Sequence, residues 1–142
     1  TLVLSLHAIG LAIVVGMNTV VALRVLGFAP GIPLASLRNI YAAIWFGFAI
    51  NAFSGVLLFV ASATNMGTMP AFWAKITLVA LGMFAALRLK SRFLDDPGAM
   101  ASAVAPIGAR RLAWLSLGCW YLALIVGRLT GYPELVDSWF GI

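Results

Sequence analysis

Residues 1–23 read TLVLSLHAIGLAIVVGMNTVVAL, and the first formal charge of the chain is Arg24. A helix crossing a bilayer needs about 20 consecutive apolar residues, and this stretch supplies them. Three further runs of the same kind follow, at 39–61, 70–87 and 112–129. They are continuous rather than alternating, which argues against the short dyad-patterned strands of a membrane barrel. Together the four runs nearly fill the 142 residues. The expected fold is therefore all-α: a polytopic transmembrane four-helix bundle forming a single domain, 1–142, with no room for a soluble catalytic domain.

Composition agrees. The hydrophobic fraction is 63% and the charged fraction 9%, with a mean hydropathy of +1.08. A soluble domain is about half apolar and about a quarter charged. The net charge of +5 does not signal nucleic-acid binding, because most basic residues border apolar runs. The chain opens at Thr1 without Met and already inside an apolar run, which predicts residues upstream of it. That run exceeds the core of a signal peptide, and its arginine follows rather than precedes it. The single cysteine, Cys119, lies inside the fourth run and has no partner for an intrachain disulfide.

Charge placement sets an orientation, since Lys and Arg collect on the cytoplasmic side. Arg24 and Arg38 lie between runs one and two; Arg88, Lys90, Arg92, Arg110 and Arg111 lie between runs three and four. The connection 62–69 is uncharged, and the tail carries Glu134 and Asp137. The basic connections are expected in the cytoplasm and both termini outside. Pro30 and Pro33 should end the first helix and bend the chain. Ser36 is the expected N-cap of the second helix, Pro70 suits the first turn of the third, and 95–98 (Asp-Asp-Pro-Gly) forms a turn. The stretch 99–109 is expected at the interface as a loop or short helix. Trp73, Tyr132, Trp139 and Phe140 suit the outer headgroup region.

Helices in lipid associate through small residues and a few polar contacts. Gly47, Asn51, Ser54 and Gly55 make one such stripe on the second helix, and Gly10, Gly16, Gly82, Gly118 and Gly127 offer the same elsewhere. These positions serve either close packing or room for a flat cofactor. Ionisable residues inside a span are costly and are functional candidates by default. Three stand out: His7, Lys75 and Arg128. His7 is 17 residues before Arg24, Lys75 13 before Arg88, and Arg128 17 after Arg111. At a rise of about 1.5 Å per residue, each lies roughly 20–25 Å from the basic edge, in the outer half of the membrane.

The only histidine is a candidate ligand for haem iron or for the magnesium of a chlorophyll-type pigment. Lys75 and Arg128 could meet propionates, a quinone oxygen or a lipid phosphate. Gly10, one turn after His7, and Asn51 complete the expected cofactor-binding set. One chain cannot supply two histidines to one iron. A second axial ligand would be Met66 or Met69 on the outer connection, or His7 of a second copy; Met17, about 15 Å deeper, cannot reach the same iron. Zinc, copper and iron–sulfur sites need several His, Cys or carboxylate ligands that the sequence lacks. A catalytic triad, paired carboxylates and a phosphate loop are also missing.

The segments Leu6-His7-Ala8-Ile9-Gly10-Leu11, Leu23-Arg24-Val25-Leu26-Gly27, Gly55-Val56-Leu57-Leu58-Phe59 and Pro70-Ala71-Phe72-Trp73-Ala74-Lys75, with Gly47-Phe48, resemble an uncharacterised family of small bacterial four-helix membrane proteins. The resemblance covers roughly 2–94. A more distant likeness is to the membrane domain of copper-resistance protein D and to the small membrane protoporphyrinogen oxidase family, which has further histidines that this chain lacks. It implies a multi-pass protein of the bacterial cytoplasmic (inner) membrane, haem b at His7 and Lys75 beside the porphyrin. Two functions follow as expectations. One is a haem b-binding redox or electron-transfer module working with a quinone, porphyrin or partner subunit. The other is a non-catalytic accessory subunit, as a homo-oligomer or within a larger membrane complex, binding pigment, quinone or lipid.

Overall fold

The computed structural model describes residues 1–100, 105–129, 131 and 132, with no strand among them. The helices are α1 (Leu2–Leu26), α2 (Leu34–Ala61), α3 (Ala63–Thr68), α4 (Pro70–Leu89), α5 (Pro97–Met100) and α6 (Ile107–Leu129). A π-helical turn, Lys90–Leu94, extends α4. Four segments, of 25, 28, 25 and 23 residues, are long and apolar enough to cross a membrane. At about 1.5 Å per residue each exceeds the roughly 30 Å hydrocarbon core.

Every long helix runs past the bounds of its apolar run at the basic end. Charge ends a hydropathy run but not a helix, because Arg, Leu and Ala are good helix formers. Backbone chemistry sets the real stops. Gly27 closes α1 at φ 93°, the left-handed region that favours glycine; Phe28 N–H then donates to Leu23 O at 2.9 Å. Arg24 Nε donates to Ile32 O at 2.5 Å and pins the following loop. Ser36 is not the N-cap expected of it. Pro33 caps α2 in an extended conformation, and Ser36 N–H donates to Pro33 O. Pro70 opens α4 as expected. The connection 62–69 contains α3, which its Thr, Asn and Gly content did not suggest. Trp73 ties α4 back to it, Nε1 donating to Gly67 O at 3.0 Å. Asp96 accepts from Gly98 N–H in the expected turn. Trp139 and Phe140, Glu134 and Asp137, and residues 101–104 lie outside the described residues.

Two antiparallel hairpins make the bundle: α1 packs on α2, α4 packs on α6, and α1 joins them through α6. The core gathers toward the basic end, around Val14, Val21, Leu37, Ile44, Leu89 and Trp120. Tyr41 donates its hydroxyl to Ala86 O at 2.9 Å, and Asp95 pairs with Lys90 at 2.9 Å and with Arg38 at 3.6 Å. Gly82 faces the Trp120 indole: a Cβ there would stand 3.1 Å from Nε1. On α4 no residue before Gly82 is buried, and on α6 none after Ala123. The hairpins are thus packed tightly at the Asp95 end and loosely at the other.

Candidate functional site

The site grows from a backbone crossing. A Cβ on Gly10 would lie 2.7 Å from Asn51 N and 2.9 Å from Gly47 O; one on Gly47 would lie 2.7 Å from the Ile13 side chain and 3.1 Å from Gly10 O. Only two glycines let α1 and α2 approach this closely. Gly10 therefore does not make room for a macrocycle, as the sequence allowed. The space over it is filled by α2.

One turn outward the same two helices exchange polar bonds. Asn51 Nδ2 donates to His7 O at 3.0 Å, and His7 Nδ1 lies 3.0 Å from Asn51 O. Ser54 Oγ is 3.1 Å from the same Nδ1 and donates at 2.6 Å to Ile50 O. A carbonyl oxygen can only accept, so the proton of the imidazole sits on Nδ1 and the lone pair on Nε2. The Ser54 hydroxyl, its own hydrogen committed to Ile50, is a second acceptor for that N–H. Gly55 leaves space for the ring edge: a Cβ there would be 3.2 Å from Cε1.

Nε2 faces α4, where Lys75 Nζ stands 3.5 Å away, a long contact. The lysine chain lies along Gly127 of α6, whose added Cβ would be 3.3–3.5 Å from Cε, Cδ and Nζ. Three of the long helices so converge on one half-buried imidazole–ammonium pair, with α6 as its floor. Both groups sit in the loosely packed half of the bundle.

His7, Asn51 and Lys75 are thus brought together. Arg128 is not: it is exposed, and its guanidinium lies over the Tyr132 ring at 5.7 Å. Its depth matched, but depth says nothing of the direction a residue faces around its helix. Asn51 serves the α1–α2 contact, its amide being occupied by His7 O. Met66 lies in α3, and Met69 caps α4. Ser54 and Gly127, read in the sequence as packing residues, prove to flank the pair. Their small size was the only available signal. Among the described residues no group of three or more His, Cys, Asp or Glu could hold a metal ion.

Fold and site together define a class: an all-helical chain with four membrane-crossing-length helices and a polar pair between them, which suggests a multi-pass membrane protein whose apolar faces suit lipid. No protein-family model, curated protein or solved structure matches the chain.

Proposed function

We propose that this chain is a small multi-pass protein of the bacterial inner membrane, with both termini outside, that binds haem b through His7. It would act as a redox or electron-transfer module working with a quinone, porphyrin or partner subunit. The observation that carries this reading is the hydrogen bond from His7 Nδ1 to Asn51 O. Ligating imidazoles almost always donate their other N–H to a carbonyl or carboxylate, which fixes the ring and raises its basicity. Here the backbone of α2 does this, so the ligating lone pair is oriented in advance.

Among the described residues, His7 is the side chain that would hold the iron of such a group. Lys75, on a flexible stem, would leave Nε2 to meet an anionic propionate edge. Ser54 and Gly55 hold the ring, and the Gly10–Gly47 crossing fixes the helix carrying it. Haem, when bound, supplies one-electron transfer. The test is the absorption spectrum of the purified chain: a Soret band in the wild type that His7→Ala abolishes supports the reading, whereas no band, or one unchanged in His7→Ala, overturns it.

A second reading is an accessory subunit, within a homo-oligomer or larger complex, that holds a quinone, pigment or lipid. It is favoured by Lys75 standing in front of Nε2, since an ammonium is a ready donor to a quinone carbonyl. Solvent extraction of the purified protein separates the two, by yielding a quinone without haem.

A further inference from the structure

A cleft lies at the opposite end of the bundle. The π-helical turn and the first turns of α6 enclose a cleft of about 390 Å³. Its walls are Leu89, Phe93, Ala109 and Leu112, and Arg92 and Arg111 line it from the two sides. The wide turn matters here. It buries both Phe93 and Leu94 in succession, anchoring the segment while Arg92 remains exposed. At Gly108, a Cβ would meet no atom of the described residues within 4 Å, which leaves the α6 side of the cleft open among them.

Of the other cations of this end, Arg110 is exposed and does not line the cleft, and the rest are engaged. Arg38 and Lys90 share Asp95, Arg24 holds Ile32 O, and Arg88 lies over Phe84 at 5.0 Å. Arg92 and Arg111 have no carboxylate partner among the described residues. Two guanidiniums over an apolar wall, at the depth where a helix leaves the membrane, match an anionic headgroup above its glycerol and acyl chains. Guanidinium binds phosphate oxygens in a planar, two-pronged fashion. Basic recesses between helices on the cytoplasmic side are suited to acidic lipid headgroups. The volume suits a headgroup and not a whole lipid.

We propose that this cleft binds the phosphate headgroup of an anionic phospholipid of the cytoplasmic leaflet through Arg92 and Arg111. The proposal rests on the membrane orientation given above and not on haem at His7.

The test is lipid retention by the full chain in a neutral detergent, followed by native mass spectrometry. The probes are phosphatidylglycerol, phosphatidylcholine with the same acyl chains, and inorganic phosphate as competitor. Phosphatidylglycerol should be retained at least about tenfold over phosphatidylcholine. At about a fivefold contribution per arginine near the surface, Arg92→Ala with Arg111→Ala should weaken retention about 25-fold. Arg38→Ala with Arg88→Ala removes the same charge outside the cleft and should leave retention within about twofold. Gly108→Trp fills the recess while keeping both arginines, and should also release the lipid. Equal losses in the two double variants, equal retention of the two lipids, or retention unaffected by Gly108→Trp would overturn the proposal. Displacement of the lipid by millimolar phosphate would assign the arginines to a free anion instead and overturn the lipid assignment.

Discussion

His7 and Asn51 each give a side-chain group to the other's backbone, and the two bonds are not equivalent. The Asn51 amide only binds α2 to α1. The Asn51 carbonyl, which no substitution removes, sets which imidazole nitrogen carries the proton. Asn51→Leu should therefore cost about 1 kcal/mol, within the range of interhelical hydrogen bonds in membrane proteins. It should leave any His7-dependent absorbance in place. Unfolding of the purified variant by SDS titration, with its spectrum recorded in parallel, checks both halves. The shared depth of His7 and Lys75 was legible in the sequence, because residue counts from a common charged edge give depth; that the two side chains face each other was not. The reciprocal bonds were not, since backbone carbonyls leave no trace in residue type. The facing of Arg128 was not either, because it depends on rotation about the α6 axis.

At the scale of the element, the α1–α2 crossing rests on two glycines where any side chain would strike backbone or a packed isoleucine. Gly10→Ala should destabilise the bundle by about 1–3 kcal/mol, the range of overpacked interiors. Gly16, six residues on in α1, has open space where its Cβ would stand. Gly16→Ala should be neutral or stabilising by up to about 1 kcal/mol, as alanine is the better helix former. Thermal unfolding of both variants in one detergent gives the comparison. The sequence identified both glycines as small but could not tell the buried one from the open one. It likewise located the four long helices and their outer ends, and missed the ends at the basic side. Apolar runs stop where charge begins, whereas α1 and α2 stop and start at Gly27 and Pro33. The short α3 has no apolar period to reveal it.

Across the whole molecule, packing is graded. A dense, ion-paired end carries Asp95 and every arginine but Arg128; a looser end carries the His7–Lys75 pair between the hairpins. In the orientation proposed here, a redox partner or apolar ligand would approach from the outer half, while salt bridges tie the cytoplasmic end, where the proposed lipid would bind. Single cysteines test that orientation on a Cys119→Ala background. Thr64→Cys, exposed on α3, should react with a membrane-impermeant maleimide on intact spheroplasts. Ser91→Cys, exposed on the π-helical turn, should react only after permeabilisation. The reverse pattern would invert the topology and put the paired side chains in the inner leaflet.

The central claim is that the oriented Nε2 of His7 is a ligand atom. Reduced-minus-oxidised absorption of the purified chain tests it most directly, with His7→Ala and Asn51→Leu alongside. The account predicts a b-type haem difference spectrum in the wild type, retained in Asn51→Leu and abolished in a folded His7→Ala protein. A wild-type protein without that spectrum, or a His7→Ala protein that keeps it, would contradict the claim.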